Sequence, residues 1–218
     1  MKALVIGATG ATGKDLVTQL LSDPDFKEVD VFVRKPVPIQ NPKLKTHIVD
    51  FEKPDEWKDL VKGDVAFSCL GTTLKTAGSK EAQRKVDYDY QYNFAKSARE
   101  NNVEDYVLVS SYGADSKSKI FYSKMKGDLE QSVKALHFNK ITIFQPGMLE
   151  RKDTERMGEV LGGKIIKLAN KLGMFKSQKP LPTEVLAKAM INSSKIKSNS
   201  YSKIKLGSIF SFAVKGKL

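Results

Sequence analysis

The chain has 218 residues, of which 40% are hydrophobic, enough to bury the core of one large α/β domain or two small ones. The single cysteine excludes an internal disulfide and fits a reducing compartment, and with only two histidines a metal site built from His and Cys is disfavoured. Of the net charge of +12, residues 151–218 carry +11, since they hold 15 Lys and Arg against 4 acids.

This basic C-terminal third has two interpretations. It could bind an anionic partner, such as a phosphate-bearing substrate, nucleic acid or a membrane surface, or it could be a lysine-rich solvated face. Most of its cations are Lys rather than Arg, and no aromatic residues interleave with them as a stacking platform. We therefore favour the solvated face and expect no nucleic-acid partner.

Six short apolar runs alternate with longer segments of helical period in residues 1–147. The runs are Ala3–Ile6, Val29–Val33, Thr46–Val49, Val65–Leu70, Tyr106–Val109 and Ile141–Phe144. They are rich in Val and Ile and mostly lack polar alternation, which is typical of strands buried on both faces of a parallel sheet. Helices are predicted between them at about 13–22, 54–62, 79–101 and 122–137. The alternation predicts a doubly wound α/β fold with a parallel sheet.

The first strand runs into the sequence GATGATG, which places Gly7, Gly10 and Gly13 at a strand-to-helix turn. Such a turn lets a pyrophosphate approach bare backbone N–H groups at the positive end of a helix. Thr9 and Thr12 offer hydroxyls as additional donors. The spacing is G-x-x-G-x-x-G rather than G-x-G-x-x-G. We interpret it as a dinucleotide-binding turn, with a purely structural turn as the alternative.

The second and third predicted strands end in residues suited to the adenosine half of a dinucleotide. Arg34 and Lys35 follow the second strand, where NAD-preferring folds usually place an acid. Two cations suit a 2′-phosphate, so the sequence favours NADP over NAD, with an ordinary basic loop as the alternative. Asp50 and Phe51 end the third strand, where a side chain can flank the adenine.

The fourth predicted strand ends at Leu70 and Gly71, beside the expected cofactor crevice at the topological switch point. Cys69 precedes them and is a formal candidate for a nucleophile. No histidine or other base lies near it in sequence, and a strand cysteine usually packs as a small apolar residue. We therefore interpret Cys69 as a packing residue.

Three tyrosines have a lysine four residues later, and roughly one such pair is expected by chance in so lysine-rich a chain. They are Tyr92, Tyr122 and Tyr201. Only Tyr122 and Lys126 lie at a predicted helix start after a strand, and that strand ends in Ser110 and Ser111. This position predicts a site in which the tyrosine exchanges a proton with a carbonyl oxygen. The lysine ammonium would favour the phenolate and bind the nicotinamide ribose, and a serine would hydrogen-bond the substrate oxygen.

After residue 147 the pattern changes to helices predicted at about 155–172 and 182–195 and a short strand at about 202–206, which could add to the sheet edge. We expect one domain over residues 1–218, with residues 150–200 forming a small helical cap for the substrate. The apolar run Ile209–Val214 could bind a membrane, but a docked segment fits so short a run better.

No stretch of the chain approaches 18 consecutive apolar residues, so we expect no transmembrane helix. The run Ala3–Ile6 is also too short for the apolar region of a signal peptide. From these features we expect a cytoplasmic protein that is a monomer or a homodimer.

Several stretches together resemble the atypical short-chain dehydrogenases/reductases, and in particular the family of the human oxidoreductase known as Tat-interacting protein. They are GATGATG, VDFEK, CLGTT…AG, VDYDY, SSYGAD, YSKMKG and FQPGMLE…R, spread from residue 3 to about residue 160. The resemblance implies an NADPH-binding Rossmann fold with Tyr122 as the proton donor or acceptor. It implies a cofactor site with Thr9, Gly10, Ala11 and Thr12 at the pyrophosphate, Arg34 and Lys35 at the 2′-phosphate, and Leu70, Gly71 and Leu149 along the nicotinamide side. Pro146 and Arg156 are further cofactor-binding residues that it implies.

Two residues depart from the family pattern. Gln145 stands where the family often has Arg, and Asp87 stands where the superfamily often has the helix Asn of a proton relay. The leading functional hypothesis is an NADP(H)-dependent oxidoreductase acting on a small carbonyl or alcohol. The alternative is a non-catalytic NADP(H)-binding redox sensor, which would have no need of the Ser, Tyr and Lys set.

Overall fold

The computed structural model describes residues 1–150 and 180–215, which form a seven-stranded sheet with helices on both faces. The strands of this sheet are β1 (Lys2–Ile6), β2 (Glu28–Val33), β3 (Leu44–Ile48), β4 (Val65–Ser68), β5 (Asp105–Val109), β6 (Lys140–Gln145) and β9 (Tyr201–Lys205). A separate pair consists of β7 (Leu149–Glu150) and β8 (Leu181–Pro182). The order β3-β2-β1-β4-β5-β6-β9 is parallel throughout and is that of a Rossmann fold with one strand added at the β6 edge. The predicted doubly wound fold is confirmed.

The helices of the described residues cover both faces of the sheet. They are α1 (Ala11–Ser22), α2 (Leu74–Ala77), α3 (Lys80–Arg84), α4 (Tyr90–Glu100), α5 (Phe121–Lys134), α6 (Thr183–Lys195) and α7 (Ser208–Lys215). Successive residues of β1 show the two-sided burial. Ala3 and Val5 pack with side chains of α1 and α6, and Leu4 and Ile6 pack with side chains of α4 and α5. Each fully buried aliphatic side chain contributes about 1.5–3 kcal/mol, which favours the mostly apolar sequences of the central strands.

The helix predicted at 54–62 is wrong. Two short 3₁₀ turns, Pro54–Glu56 and Lys58–Leu60, stand in its place. Trp57 separates them with a non-helical backbone, and its indole N–H donates to the carbonyl oxygen of Asp50 at 2.8 Å. This anchor holds the indole in the core at 2% exposure, and the chain bends around it instead of continuing as a helix.

The helix predicted at 79–101 is present but interrupted. Between α3 and α4 lies one turn of π-helix, Lys85–Asp89. A π turn inserts one extra residue and rotates the side chains that follow it. The inserted turn holds Asp87 against the sheet edge with 1% of its surface exposed, and the amide of Gln91 donates to its backbone carbonyl at 2.9 Å.

The C-terminal part of the chain belongs partly to the main core. Of the segment expected to cap the site, α6 packs against α1, where Thr183 donates to the Asp15 carboxylate at 2.6 Å. The helix predicted at 155–172 lies outside the described residues. Helix α7 docks on α6, with Ile209 and Phe212 buried and the amide of Asn192 donating to the α7 backbone. No helix within residues 1–150 and 180–215 is long and apolar enough to cross a bilayer.

Candidate functional site

The glycine turn after β1 packs its backbone directly against two other backbone segments, the end of β4 and the start of α1. Gly7 has a φ of +84°, and a β-carbon there would lie 2.5 Å from the backbone nitrogen of Leu70. A β-carbon on Gly13 would lie 2.1 Å from the carbonyl oxygen of Gly7, so α1 begins in direct contact with the turn. Any side chain at either position would separate β1, β4 and α1, which meet here.

The N-terminus of α1 is exposed and uncapped. Gly10 is its N-cap residue, and as a glycine it has no side chain that could accept a hydrogen bond from the first turn. The backbone N–H groups of Ala11, Thr12 and Gly13 belong to this turn, which has no carbonyl partners within the helix. The first turn also contains no acidic residue, and Thr9 and Gly10 are exposed. The donors and the helix dipole therefore suit a phosphate group.

Arg34 and Lys35 follow β2 directly, and both side chains are exposed. Neither forms an ion pair within the part of the chain that the structure describes. Their two positive charges are therefore available beside the glycine turn, since β2 is the parallel neighbour of β1. The geometry allows an anionic group to bind here.

The end of β3 leads into an aromatic and acidic cluster. Asp50 is exposed, but Phe51 is only 4% exposed because its ring stacks on that of Tyr90 at a centroid distance of 5.4 Å. The Tyr90 hydroxyl donates to the Glu52 carboxylate at 2.5 Å. Burial and this acceptor raise the pKa of Tyr90 to about 12. Asp50 and part of Tyr90 are therefore exposed at this end of the sheet, and Phe51 lies beneath them.

The end of β4 is tied to the π turn through Asp87. The Thr72 N–H donates to one oxygen of the Asp87 carboxylate at 3.1 Å, and the other oxygen lies under Gly71, where a β-carbon would be 3.3 Å away. Leu70 is half-buried beside them. Burial raises the pKa of the neighbouring Cys69 thiol to about 12, which suits a packing residue and not a nucleophile.

The Tyr122 and Lys126 side chains occupy the first two turns of α5. Tyr122 is 38% exposed, whereas Lys126 is 3% exposed and its ammonium lies 3.0 Å from the Asp87 carboxylate. Burial acts to lower the pKa of Lys126, but the charges of Tyr122, Asp87 and Glu130 and the hydrogen bond to Asp87 outweigh it and raise the pKa. The ammonium is therefore held protonated one helical turn from the tyrosine.

The two serines after β5 have different surroundings. Ser110 is buried, and its hydroxyl donates to one oxygen of Glu130 at 2.5 Å. The same carboxylate oxygen accepts from the amide of Gln145 at 2.7 Å. Ser111 is half-buried, and the only hydrogen bond described for its hydroxyl is a long one of 3.4 Å to the Tyr112 carbonyl. Of the two hydroxyls, that of Ser111 is the one available to a further partner.

The loop between β5 and α5 is fixed by contact with α5. A β-carbon on Gly127 would lie 2.1 Å from the backbone nitrogen of Ser116, so the loop crosses the helix at this glycine. The Asp115 N–H donates to the Ser123 carbonyl at 3.0 Å. This crossing sets the distance between the serines at the end of β5 and the tyrosine at the start of α5.

The turn after β6 completes the same edge of the sheet. Pro146 is buried, and its carbonyl accepts from the Tyr112 N–H at 2.9 Å. Leu149 is half-buried in β7 and pairs with Leu181 of β8. Arg156, which the family resemblance assigns to the cofactor, lies outside the described residues. The carboxyl ends of the parallel strands thus bring the other candidate residues to one edge.

A family model described as NAD(P)H-binding matches residues 7–167 of the chain. The chain belongs to this NAD(P)H-binding family. Among its relatives, FMP52 of Coccidioides immitis is 36% identical over 176 residues, covering 72% of each protein. HTATIP2 of Rattus norvegicus is 34% identical over 194 residues, covering 86% of the chain and 78% of the relative. The resemblance inferred from the sequence motifs is confirmed.

Solved structures support the fold of this family member. MoeE5 in complex with UDP-glucose and NAD superposes with a TM-score of 0.71 at 14% identity, covering 98% of the chain and 81% of MoeE5. A short-chain dehydrogenase of Burkholderia cenocepacia in complex with NADP has a TM-score of 0.68 at 13% identity, covering 99% and 91%. One of these two structures contains NAD and the other NADP.

The relatives correct one expectation. The FMP52 proteins of Coccidioides immitis, Candida albicans and Saccharomyces cerevisiae are named as mitochondrial proteins. The prediction of a cytoplasmic protein is therefore wrong. A single cysteine and the lack of a long apolar stretch are compatible with several compartments, so neither feature could support that choice.

The residues present fit the dinucleotide that the family binds. The turn at Gly7 is bare, the first turn of α1 offers uncapped N–H donors, and two exposed cations follow β2. Among residues 1–150 and 180–215 there is no group of three His, Cys, Asp or Glu side chains that could hold a metal ion.

Two residues of the site were missed in the sequence. Glu130 lies one turn after Lys126 and accepts hydrogen bonds from Ser110 and Gln145, and Gly127 leaves room for the loop that crosses α5. The signals were present: an acid four residues after the lysine shares its helix face, and glycine inside a helix costs about 1 kcal/mol relative to alanine.

Proposed function

We propose that this protein is an NADP(H)-dependent oxidoreductase that transfers hydride between the nicotinamide and a small carbonyl or alcohol substrate. The proposal is carried by one observation: Lys126 is buried as a cation against Asp87, one helical turn from the partly exposed Tyr122. A buried charge costs several kcal/mol and is a candidate functional group where it faces a cleft. The family and the uncapped α1 N-terminus support the cofactor half of the proposal.

In this proposal each side chain has one task. When bound, the cofactor supplies or accepts the hydride. The Tyr122 hydroxyl gives its proton to the carbonyl oxygen in reduction and takes it back in oxidation. The Lys126 ammonium stabilises the phenolate that results, and the Ser111 hydroxyl donates to the substrate oxygen and orients it.

The preference for NADP over NAD rests on Arg34 and Lys35. A 2′-phosphate bound between two exposed cations gains charge-assisted hydrogen bonds that a ribose hydroxyl lacks. We expect Arg34→Ser combined with Lys35→Ser to weaken NADPH binding by at least about tenfold, or 1.4 kcal/mol, and to change NADH binding little. Equal losses for both cofactors, measured by the quenching of nicotinamide fluorescence, would refute the preference.

The decisive experiment for the activity is NADPH oxidation with a panel of aldehydes, ketones and quinones. Tyr122→Phe should keep NADPH affinity and lose at least about a hundredfold in turnover, since general acid catalysis contributes about 10²–10⁴-fold. Tyr92→Phe, which has the same sequence spacing to a lysine, is the matched control and should retain activity. Tight NADPH binding without turnover of any substrate would instead support a non-catalytic redox sensor.

A further inference from the structure

The Glu130 carboxylate is the centre of a buried polar network behind the site. It is 1% exposed, and its first oxygen accepts from Ser110 at 2.5 Å and from Gln145 at 2.7 Å. Its second oxygen accepts from the ammonium of Lys203 at 2.6 Å. These partners come from the end of β5, from β6 and from β9, so one side chain of α5 joins three neighbouring strands.

Burying a carboxylate to link three strands costs desolvation free energy that apolar packing would not require. Replacing a buried ion pair with well-packed apolar residues is often neutral or stabilising by about 1–4 kcal/mol. Glu130 lies one turn after Lys126 on α5, and its negative charge contributes to the raised pKa of that lysine, together with Tyr122 and Asp87. Glu130 thus affects the charge of the site and not only the packing.

Lys203 connects this carboxylate with solvent. Its side chain is 29% exposed, whereas that of Glu130 is 1% exposed. Burial acts to lower the pKa of Lys203, but the hydrogen bond and charge of Glu130 outweigh it and raise the pKa. The Tyr201 ring lies beside this ammonium at 5.9 Å, and burial raises the pKa of that tyrosine as well. Lys203 is therefore a permanent positive charge at neutral pH.

We propose that Glu130 is a positioning residue of this site, which fixes Ser110 and adds a second carboxylate beside Lys126, and that Lys203 offsets its negative charge. The groups that face Glu130 are Ser110 after β5, Gln145 of β6, Lys203 and Tyr201 of β9 and Lys126 of α5, with Asp87 of the π turn beyond the lysine. The inference rests on the proposed function for its role in catalysis, but the electrostatic coupling stands apart from turnover.

Opposite shifts of the pH profile test the proposal. Glu130→Gln removes a negative charge, so we expect the alkaline limb of kcat/KM for carbonyl reduction to move down by about one pH unit. Lys203→Met exposes the site to the full charge of Glu130, so the limb should move up. Lys205→Met, two residues along β9 and exposed, is the matched control and should leave the limb unchanged because solvent screens its charge.

A role in packing alone would not give shifts of opposite sign. Shifts in the same direction, or none in either variant, would overturn the proposal. If Glu130→Gln does not fold, Lys203→Met and its control Lys205→Met still test the proposal. An upward shift of the alkaline limb in Lys203→Met alone then supports it, and no shift refutes it.

A second measurement separates this inference from the proposed function. The titration of the Lys126 ammonium can be followed by NMR of ¹³C-lysine-labelled protein, with its resonance identified by its loss in Lys126→Met. It should move to lower pH in Glu130→Gln and to higher pH in Lys203→Met. If the Lys126 titration shifts in opposite directions in the two variants but no substrate is turned over, the proposed activity is refuted and this inference holds. If substrate is turned over but the Lys126 titration is unchanged in both variants, this inference is refuted and the proposed activity holds.

Discussion

Removing the Lys126 ammonium should destabilise the fold far more than the loss of an ordinary salt bridge. Lys126→Met leaves the Asp87 carboxylate, which is 1% exposed, with the Thr72 N–H as a donor but without the cation that pairs with it at 3.0 Å. Leaving a buried charge without its partner costs about 3–5 kcal/mol. A domain has about 5–15 kcal/mol of stability in all, so this change removes a large share of it.

The matched control is Lys85→Met. Lys85 also lies 3.0 Å from a carboxylate, that of Glu52, but both side chains are about half exposed, at 53% and 52%. Solvent-exposed pairs contribute about 0–1 kcal/mol, so the control should change little. The two variants share the distance and the chemical change and differ in burial, which is the quantity under test.

The assay is urea unfolding at pH 7, followed by the fluorescence of Trp57, the one tryptophan of the chain, which is 2% exposed. Adding Asp87→Asn to Lys126→Met removes the orphaned charge and should restore about 2–3 kcal/mol of the loss. The reasoning fails if Lys126→Met lowers the free energy of unfolding no more than Lys85→Met does. It also fails if the losses of Lys126→Met and Asp87→Asn simply add in the double variant, because the ammonium and carboxylate would then not form a buried pair.

Three further predictions test other parts of the structure. Gly127→Ala should lower the free energy of unfolding by about 1–3 kcal/mol despite better helix propensity, because the β-carbon would overlap the crossing loop, whereas Gly207→Ala, which faces open space, should stay within about 0.5 kcal/mol. Burial raises the pKa of Asp105 to about 6 against the opposing charge of Lys140, so the folded state holds a proton that the unfolded state has released above about pH 4. Urea unfolding should therefore show stability falling by up to about 3 kcal/mol between about pH 4 and pH 6, and Asp105→Asn should abolish that fall. The Cys69 thiol, with its pKa of about 12, should resist iodoacetamide at pH 8 until the protein is unfolded.

Most of the sheet could be predicted from the sequence because its central strands are buried on both faces. Val29–Val33 and Ile141–Phe144 are mostly apolar runs, each interrupted by one polar residue, Asp30 and Thr142, and the structure extends β2 and β6 by only one or two residues beyond them. The short strand predicted near residue 202, at the sheet edge, is β9, which lies at that edge beside β6. Local sequence pattern predicts such elements because the free energy of burying an apolar side chain depends mainly on that residue and not on distant ones.

The failures have a different physical origin. Residues 54–62 have an apolar period that suits a helix, but Trp57 is fixed by a hydrogen bond to the end of β3. The π turn likewise depends on what surrounds Asp87 and not on its neighbours in sequence. Glu130 and Lys203 are 73 residues apart, and no local pattern predicts that they meet.

The pair at Tyr122 shows which kind of observation discriminates between chemistry and chance. Tyr92 stacks on Tyr88 at 6.1 Å, and the lysine four residues after it is more than half exposed beside an exposed glutamate. Tyr201 begins a strand, where residues four apart share no helical face. A Tyr-x-x-x-Lys spacing has by itself no effect on the free energy of folding, so it occurs by chance in a lysine-rich chain. A lysine buried at 3% exposure against its own carboxylate costs several kcal/mol, and of these three lysines Lys126 alone has that arrangement. The free-energy cost of an arrangement, and not its spacing, is therefore what makes it informative about function.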